Sequence, residues 1–237
     1  MKFLKWFLIP LLLVIITSLV FAYFRFGRGN SLRTRQVITW IKYPTSHPEW
    51  LISAKTRCET TTPFLFPTDG FVGFLWDDSF RPGHRHQGID IFSKEGSGDT
   101  PVYAAYAGYL TRLPDWKSTI IIRIPDDPLH SGRQIWTYYT HMADVQGKSY
   151  IVDDFPPGTS DLFIDEGTLL GYMGNYSGTP GNPTGIHLHF SIVRDDGQGQ
   201  FLNELKIQNT LDPSAYFDLP LKGPLNRNQI PSCDPLP

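Results

Sequence analysis

Three hydrophobic patterns divide the chain. Residues 6–24 are apolar on every face, with Lys2 and Lys5 ahead of them and Arg25 and Arg28 behind. About twenty such residues suffice to cross a bilayer as a helix, whereas a signal-peptide core usually has about 7–15. Residues 1–25 therefore read as an uncleaved signal-anchor, in preference to a signal cleaved near Val20-Phe21-Ala22. Residues 26–62 are polar and basic, lack a strong period, and read as a juxtamembrane linker and lead-in. From residue 63 onward the pattern changes to short β-branched or alternating runs bounded by Gly, Pro and Asp, which predict strands. Residues 119–124 are almost entirely β-branched, and with residues 134–140 they make a hairpin around a turn-rich loop. Residues 101–105 and 108–110 read as two strands around a small-residue turn, and residues 167–174 as a strand bounded by glycines. A glycine-rich approach, residues 171–185, leads into a further strand. The domain so defined covers residues 63–218, and residues 219–237 form a proline-rich tail.

Chemistry concentrates in that last strand, Gly185-Ile186-His187-Leu188-His189-Phe190. A strand has a side-chain period of two, so His187 and His189 share one face while Leu188 and Phe190 turn to the other, where a core would hold them. Two imidazoles on one face can serve one metal, or one can bind metal while the other handles a proton. Alone, the pair fits a solvated strand face better. A second stretch changes the balance. In His86-Gln87-Gly88-Ile89-Asp90-Ile91, Asp90 sits between isoleucines in a short apolar strand, and a carboxylate there needs a cation, a metal or strong donors. His141 stands at a strand end in Tyr138-Tyr139-Thr140-His141-Met142. His47 and His130 read as surface residues, and His84 receives no role.

Composition narrows the picture. The net charge of -2 implies no basic surface for nucleic acid. With 21 Gly, 20 Pro and 14% aromatic residues in 237, a β-rich, loop-rich domain is favoured over a helical bundle. The two cysteines, Cys58 and Cys233, lie near the two ends of the domain. In an exported protein they can close one disulfide, which the chain-entropy picture values at about 4–5 kcal/mol. They read equally as two unrelated thiols. The acidic residues of 143–166 lack the regular spacing of a calcium loop and read as a solvated loop.

His86, Asp90 and His189 together offer two nitrogens and a carboxylate oxygen, a suitable set for a catalytic zinc with one position left open. Three blocks in order then resemble the M23 family of zinc metallopeptidases, the lysostaphin/LytM-like endopeptidases of bacterial cell walls. His86-Gln87-Gly88-Ile89-Asp90 is similar to the family's His-x-Gly-x-Asp block, Thr140-His141-Met142 to its catalytic-His block, and His187-Leu188-His189-Phe190 to its His-Leu-His-Phe block. Leu170-Gly171-Tyr172-Met173-Gly174-Asn175 and Leu211-Asp212-Pro213 are weaker matches in the correct order. The resemblance spans about residues 71–217. It implies an antiparallel β-sheet with a groove whose floor carries Zn2+, held by His86, Asp90 and His189. It also implies His141 and His187 as catalytic residues, and hydrolysis of peptide bonds in peptidoglycan cross-bridges or stems. The segment 143–166 is longer than the resemblance leads one to expect, long enough that it could rim the groove and restrict the substrate.

Two rivals accompany this reading: a LytM-like regulatory or scaffold module without catalysis, and a zinc peptidase acting on a protein substrate. The charges flanking the apolar run, with Arg25, Arg28, Arg33 and Arg35 after it, would by count leave the domain in the cytoplasm. The resemblance implies the opposite: a membrane-anchored catalytic domain outside the cytoplasm, or a secreted one if the signal is cleaved.

Overall fold

The computed structural model describes residues 14–18, 32–58, 61–78, 83–219, 229–231 and 233. Among them the chain forms helix α1 (Leu32–Lys42) and then eleven strands: β1 (Phe71–Phe74), β2 (Ile89–Phe92), β3 (Pro101–Tyr103), β4 (Gly108–Thr111), β5 (Ile120–Ile124), β6 (Ile135–Thr140), β7 (Leu162–Ile164), β8 (Leu169–Tyr172), β9 (Gly174–Tyr176), β10 (Pro183–Arg194) and β11 (Thr210–Leu211), with a short helix α2 (Ser214–Phe217) closing the domain. The main sheet runs β1-β2-β10-β6-β5-β4-β7, and β9 and β11 also pair with β10. The pairings are antiparallel, so the mostly-β, antiparallel expectation holds.

Alternation sorts the sheet into two faces. On one, Ile89 and Ile91 of β2, Leu188, Phe190 and Ile192 of β10, Tyr139 of β6 and Ile120 and Ile122 of β5 are all buried in the main core. Register makes this continuous, because Phe190 lies opposite Ile89 on one side and Tyr139 on the other. Phe64, Phe217 and Phe190 meet edge to face, with ring centroids 5.2–6.4 Å apart, and anchor α2 against the sheet. The opposite face carries Asp90, His187, His189 and Thr140. A one-residue slip of β10 would send both histidines into the core, so the buried Leu188 and Phe190 fix the orientation of the site.

Several expectations change. The linker expected over residues 26–62 contains α1, which packs on the sheet. Arg33, Val37 and Trp40 recur at helical spacing and are buried together. Trp40 lies 5.4 Å from Phe71, and its indole N–H donates to the Ser93 carbonyl at 3.1 Å. Arg33 faces Asp78 at 3.2 Å. The basic character of this stretch hid the stripe, because one of its buried positions is itself an arginine. β3 and β4 form but do not pair with each other: β3 joins β8, whereas β4 lies between β5 and β7. Part of the glycine-rich approach is strand, namely β9 and the start of β10. Gly174 is required there, since a Cβ on it would lie 2.0 Å from the Ala143 carbonyl oxygen.

No residue of segment 143–166 lines the cavity of the polar face. The segment's Ile151 and Phe155 enter the main core, Arg112 donates to the Phe155 carbonyl at 2.7 Å, and β7 extends the sheet at its far edge. Cys58 and Cys233 form a disulfide across 175 residues of chain. The signal-anchor expected over residues 1–25 lies outside the described residues except for 14–18, which are helical and exposed. Among the described residues no helix is long and apolar enough to cross a membrane.

Candidate metal centre

The structure brings His86, Asp90, His141, His187 and His189 into one cavity of about 750 Å³ on the polar face of the sheet. His189 is central because β10 is central: it lies opposite Asp90 of β2 and Thr140 of β6. His86 precedes β2 in a loop whose backbone is tied down. Its N–H donates to the Asp78 carbonyl and its carbonyl accepts from the Asp77 N–H, both at 2.8 Å. His141 follows β6 with φ +75°, a left-handed conformation that non-glycine residues seldom adopt. Simple alternation would send its ring to the core; the backbone reversal ends the strand, and the ring lines the cavity instead.

Each of the four rings has one nitrogen committed to an acceptor. His86 Nδ1 donates to the Leu75 carbonyl at 2.9 Å, His141 Nδ1 to the Tyr176 carbonyl at 2.6 Å, and His187 Nδ1 to the Gly185 carbonyl at 2.8 Å. His189 Nε2 meets the Glu204 carboxylate at 2.9 Å. In the neutral form of each ring this leaves the other nitrogen as the lone-pair donor. Two of these nitrogens converge with a carboxylate oxygen. His86 Nε2 is 3.0 Å from Asp90 Oδ1 and 3.0 Å from His189 Nδ1, and His189 Nδ1 is 2.9 Å from Asp90 Oδ1.

This triangle fits a zinc ion. Ligands about 2.0–2.2 Å from zinc at tetrahedral corners stand roughly 3.3 Å apart, a few tenths of an ångström wider than the observed spacing. The set of two imidazole nitrogens and one carboxylate oxygen is that of an open catalytic site rather than a closed structural one. His86, Asp90 and His189 also form the cluster of potential ligands found among the described residues.

Electrostatics follow from burial and from the company of the rings. Burial opposes ionisation of Asp90, yet His86, His187 and His189 hold its carboxyl well below the usual carboxylate range. Burial likewise opposes a charge on His189, but Asp90 and Glu204 outweigh it and push the ring up to about 10. His141 goes the other way: burial, then repulsion from His187 and His189, lowers it to about 3. Burial also lowers His187, against the attraction of Asp90. His141 and His187 are therefore neutral rings, their centroids 4.5 Å apart, beside the ligand triangle.

Glu204 carries no signal in the sequence pattern. It lies in the loop between β10 and β11, and no spacing rule connects it with His189. The remaining cavity wall is mixed: Val37 and Ile41 of α1 with Phe74 and Phe92 on one side, Asp115, Trp116 and Lys117 on another. His84 lines the cavity too, its ring stacked on His86 at 6.5 Å.

No protein-family model matches the chain, and no curated protein matches it. Solved structures do. The catalytic domain of the antimicrobial peptidase lysostaphin from Staphylococcus simulans is 19% identical, the match covering 63% of this chain and 89% of that one at a TM-score of 0.38. The catalytic domain of a mutant of the prophage-encoded M23 protein EnpA from Enterococcus faecalis is 20% identical, covering 61% and 92% at a TM-score of 0.36. Csd3 from Helicobacter pylori is 17% identical, covering 70% of this chain but 38% of that one at a TM-score of 0.38. At these identities and scores the likeness assigns no residue a role, so roles rest on the geometry.

Proposed function

We propose that the chain is a zinc-dependent endopeptidase that hydrolyses peptide bonds in peptidoglycan cross-bridges or stem peptides. The observation that carries the reading is the convergence of His86 Nε2, Asp90 Oδ1 and His189 Nδ1 within 2.9–3.0 Å, each imidazole having its other nitrogen already engaged. The chemistry supplied there when zinc is bound is Lewis-acid polarisation of the scissile carbonyl and acidification of water.

The chain's own residues supply the rest. His141 and His187 are kept neutral by burial, and their Nδ1–H groups are fixed on carbonyls. Each can then use Nε2 to accept a proton from the attacking water and, once it holds that proton, donate it to the developing oxyanion or return it to the leaving amine. Phe92 stacks on His187 at 5.0 Å and limits its rotation. The cavity walls exclude part of the solvent and hold the peptide chain between α1 and the 115–117 segment.

Peptidoglycan lies outside the cytoplasmic membrane, and we place the domain there, held by the apolar segment of residues 6–24. The Cys58–Cys233 disulfide supports export to an oxidising compartment. The peptidase domain runs over residues 63–218, with α1 as an added wall.

The test is digestion of purified peptidoglycan, with mass spectrometry of the released fragments and zinc analysis of the same preparation. New amino termini within cross-bridges or stems, abolished by chelation and restored by zinc, support the proposal. A folded, metal-free and inert domain points to a regulatory module, and cleavage of proteins but not of wall points to a different substrate.

A further inference from the structure

Glu204 is a carboxylate that lies outside the ligand triangle and in direct contact with one of its members. Its Oε1 accepts from the Nε2 of His189 at 2.9 Å, on the far side of the ring from Nδ1, so it holds the ligand rather than the ion. Its side chain is about nine-tenths buried, as is that of His189. A carboxylate is kept in so enclosed a place at a desolvation cost, which a charge-assisted bond to an imidazole offsets.

The loop that carries Glu204 is secured on both flanks. Gln87, the residue after the ligand His86, donates through its side-chain amide to the Leu205 carbonyl at 3.0 Å. The Asn203 side chain accepts from the Leu205 N–H at 3.0 Å, and Asn209 donates to the Asn203 carbonyl at 2.8 Å. The residue next to one ligand thus anchors the loop that orients another. Neither Glu204 nor Gln87 performs a step of the peptide hydrolysis described above.

We propose that Glu204 is the positioning residue of the metal centre: it fixes His189 with the proton on Nε2 and presents Nδ1 to the ion. This rests on the zinc reading and adds a residue to it. A carboxylate behind a ligating imidazole raises the ligand's basicity and fixes its orientation, and losing such a partner typically costs about 10–100-fold in metal affinity.

The experiment is a zinc titration against a chromophoric chelator, on the full chain and on two variants, with thermal melting of each metal-free form. Glu204→Ala is expected to bind zinc about 10–100-fold more weakly. Glu204→Gln, whose amide oxygen still accepts the Nε2 proton, is expected to recover much of the loss. The cobalt-substituted visible spectrum should shift in Glu204→Ala, reporting a changed ligand geometry that a merely structural loop residue would leave alone. Should Glu204→Ala fail to fold, Glu204→Gln carries the test by a smaller loss and a spectral shift. Zinc affinity and cobalt spectrum equal to wild type in a folded variant would overturn the positioning role while leaving the zinc reading intact. A wild-type chain that binds no zinc would overturn both.

Discussion

His189 stands directly opposite Asp90 across the β10–β2 pair, and their Nδ1 and Oδ1 atoms are 2.9 Å apart. That pairing joins two halves of the chain separated by about a hundred residues into one chemical group. It exists because Phe190 and Ile89, the next residues along, are opposed in the core on the other face.

If these residues form the ligand set, His189→Ala removes one of three donors and leaves Asp90 a buried carboxylate beside fewer cations. The variant is expected to purify without stoichiometric zinc and without activity on peptidoglycan. Elemental analysis of the desalted protein checks the metal, and fragment release checks the activity.

His141 lies outside the ligand triangle, its ring centroid 6.3 Å from that of His189. His141→Ala is expected to keep zinc while kcat falls about 10²–10⁴-fold, the usual contribution of a positioned acid–base group. A near-normal turnover number would remove His141 from the catalytic set.

Gly88 stands between His86 and Asp90, where β2 and β10 approach closely. A Cβ there would lie 2.1 Å from the Phe190 carbonyl oxygen, a backbone atom that cannot step aside. Gly88→Ala is expected to cost about 1–3 kcal/mol or more through overpacking. It should also weaken zinc binding, because the strand spacing sets the distance from Asp90 to His189. Chemical denaturation and zinc titration of the same variant test both effects.

The Cys58–Cys233 bond links the lead-in to the tail, and both residues pack against the main core rather than the groove. Cys58→Ser with Cys233→Ser is expected to lower stability by about 2–5 kcal/mol. Zinc content should stay unchanged, which separates stabilisation of the fold from support of the site.

Alkaline pH tests the core. Burial pushes the Tyr139 phenol up to about 12, and its oxygen accepts from the Ala105 N–H at 2.9 Å. The folded state keeps the neutral phenol while the unfolded chain ionises at about 10. The corresponding stability is present below pH 10 and is lost as pH rises through 12. Each pH unit of that interval corresponds to about 1.4 kcal/mol, so the loss reaches on the order of 3 kcal/mol. Melting temperatures of wild type and Tyr139→Phe between pH 9 and 12 check this: the variant should show a shallower decline.

Much of the site was legible because its residues obey short-range rules. The two-residue period places His187 and His189 together, and the isoleucines around Asp90 mark a carboxylate that needs partners. Glu204 was not legible, since a loop returns it to His189 from fifteen residues along the chain and only the fold specifies that return. The role of α1 was hidden because Arg33 takes a buried place where a pattern reading looks for an apolar residue. Segment 143–166 was misread for a related reason. Its core residues, Ile151 and Phe155, are scattered among acidic ones, so the local composition reads as solvated while the individual side chains are buried.

The most direct test of the central claim is anomalous diffraction at the zinc edge from crystals of the zinc-loaded chain. The account predicts one strong peak about 2.0–2.2 Å from His86 Nε2, an Asp90 carboxylate oxygen and His189 Nδ1, with His141 and His187 outside the coordination sphere. A peak elsewhere, or no peak in a folded protein soaked with zinc, would contradict it.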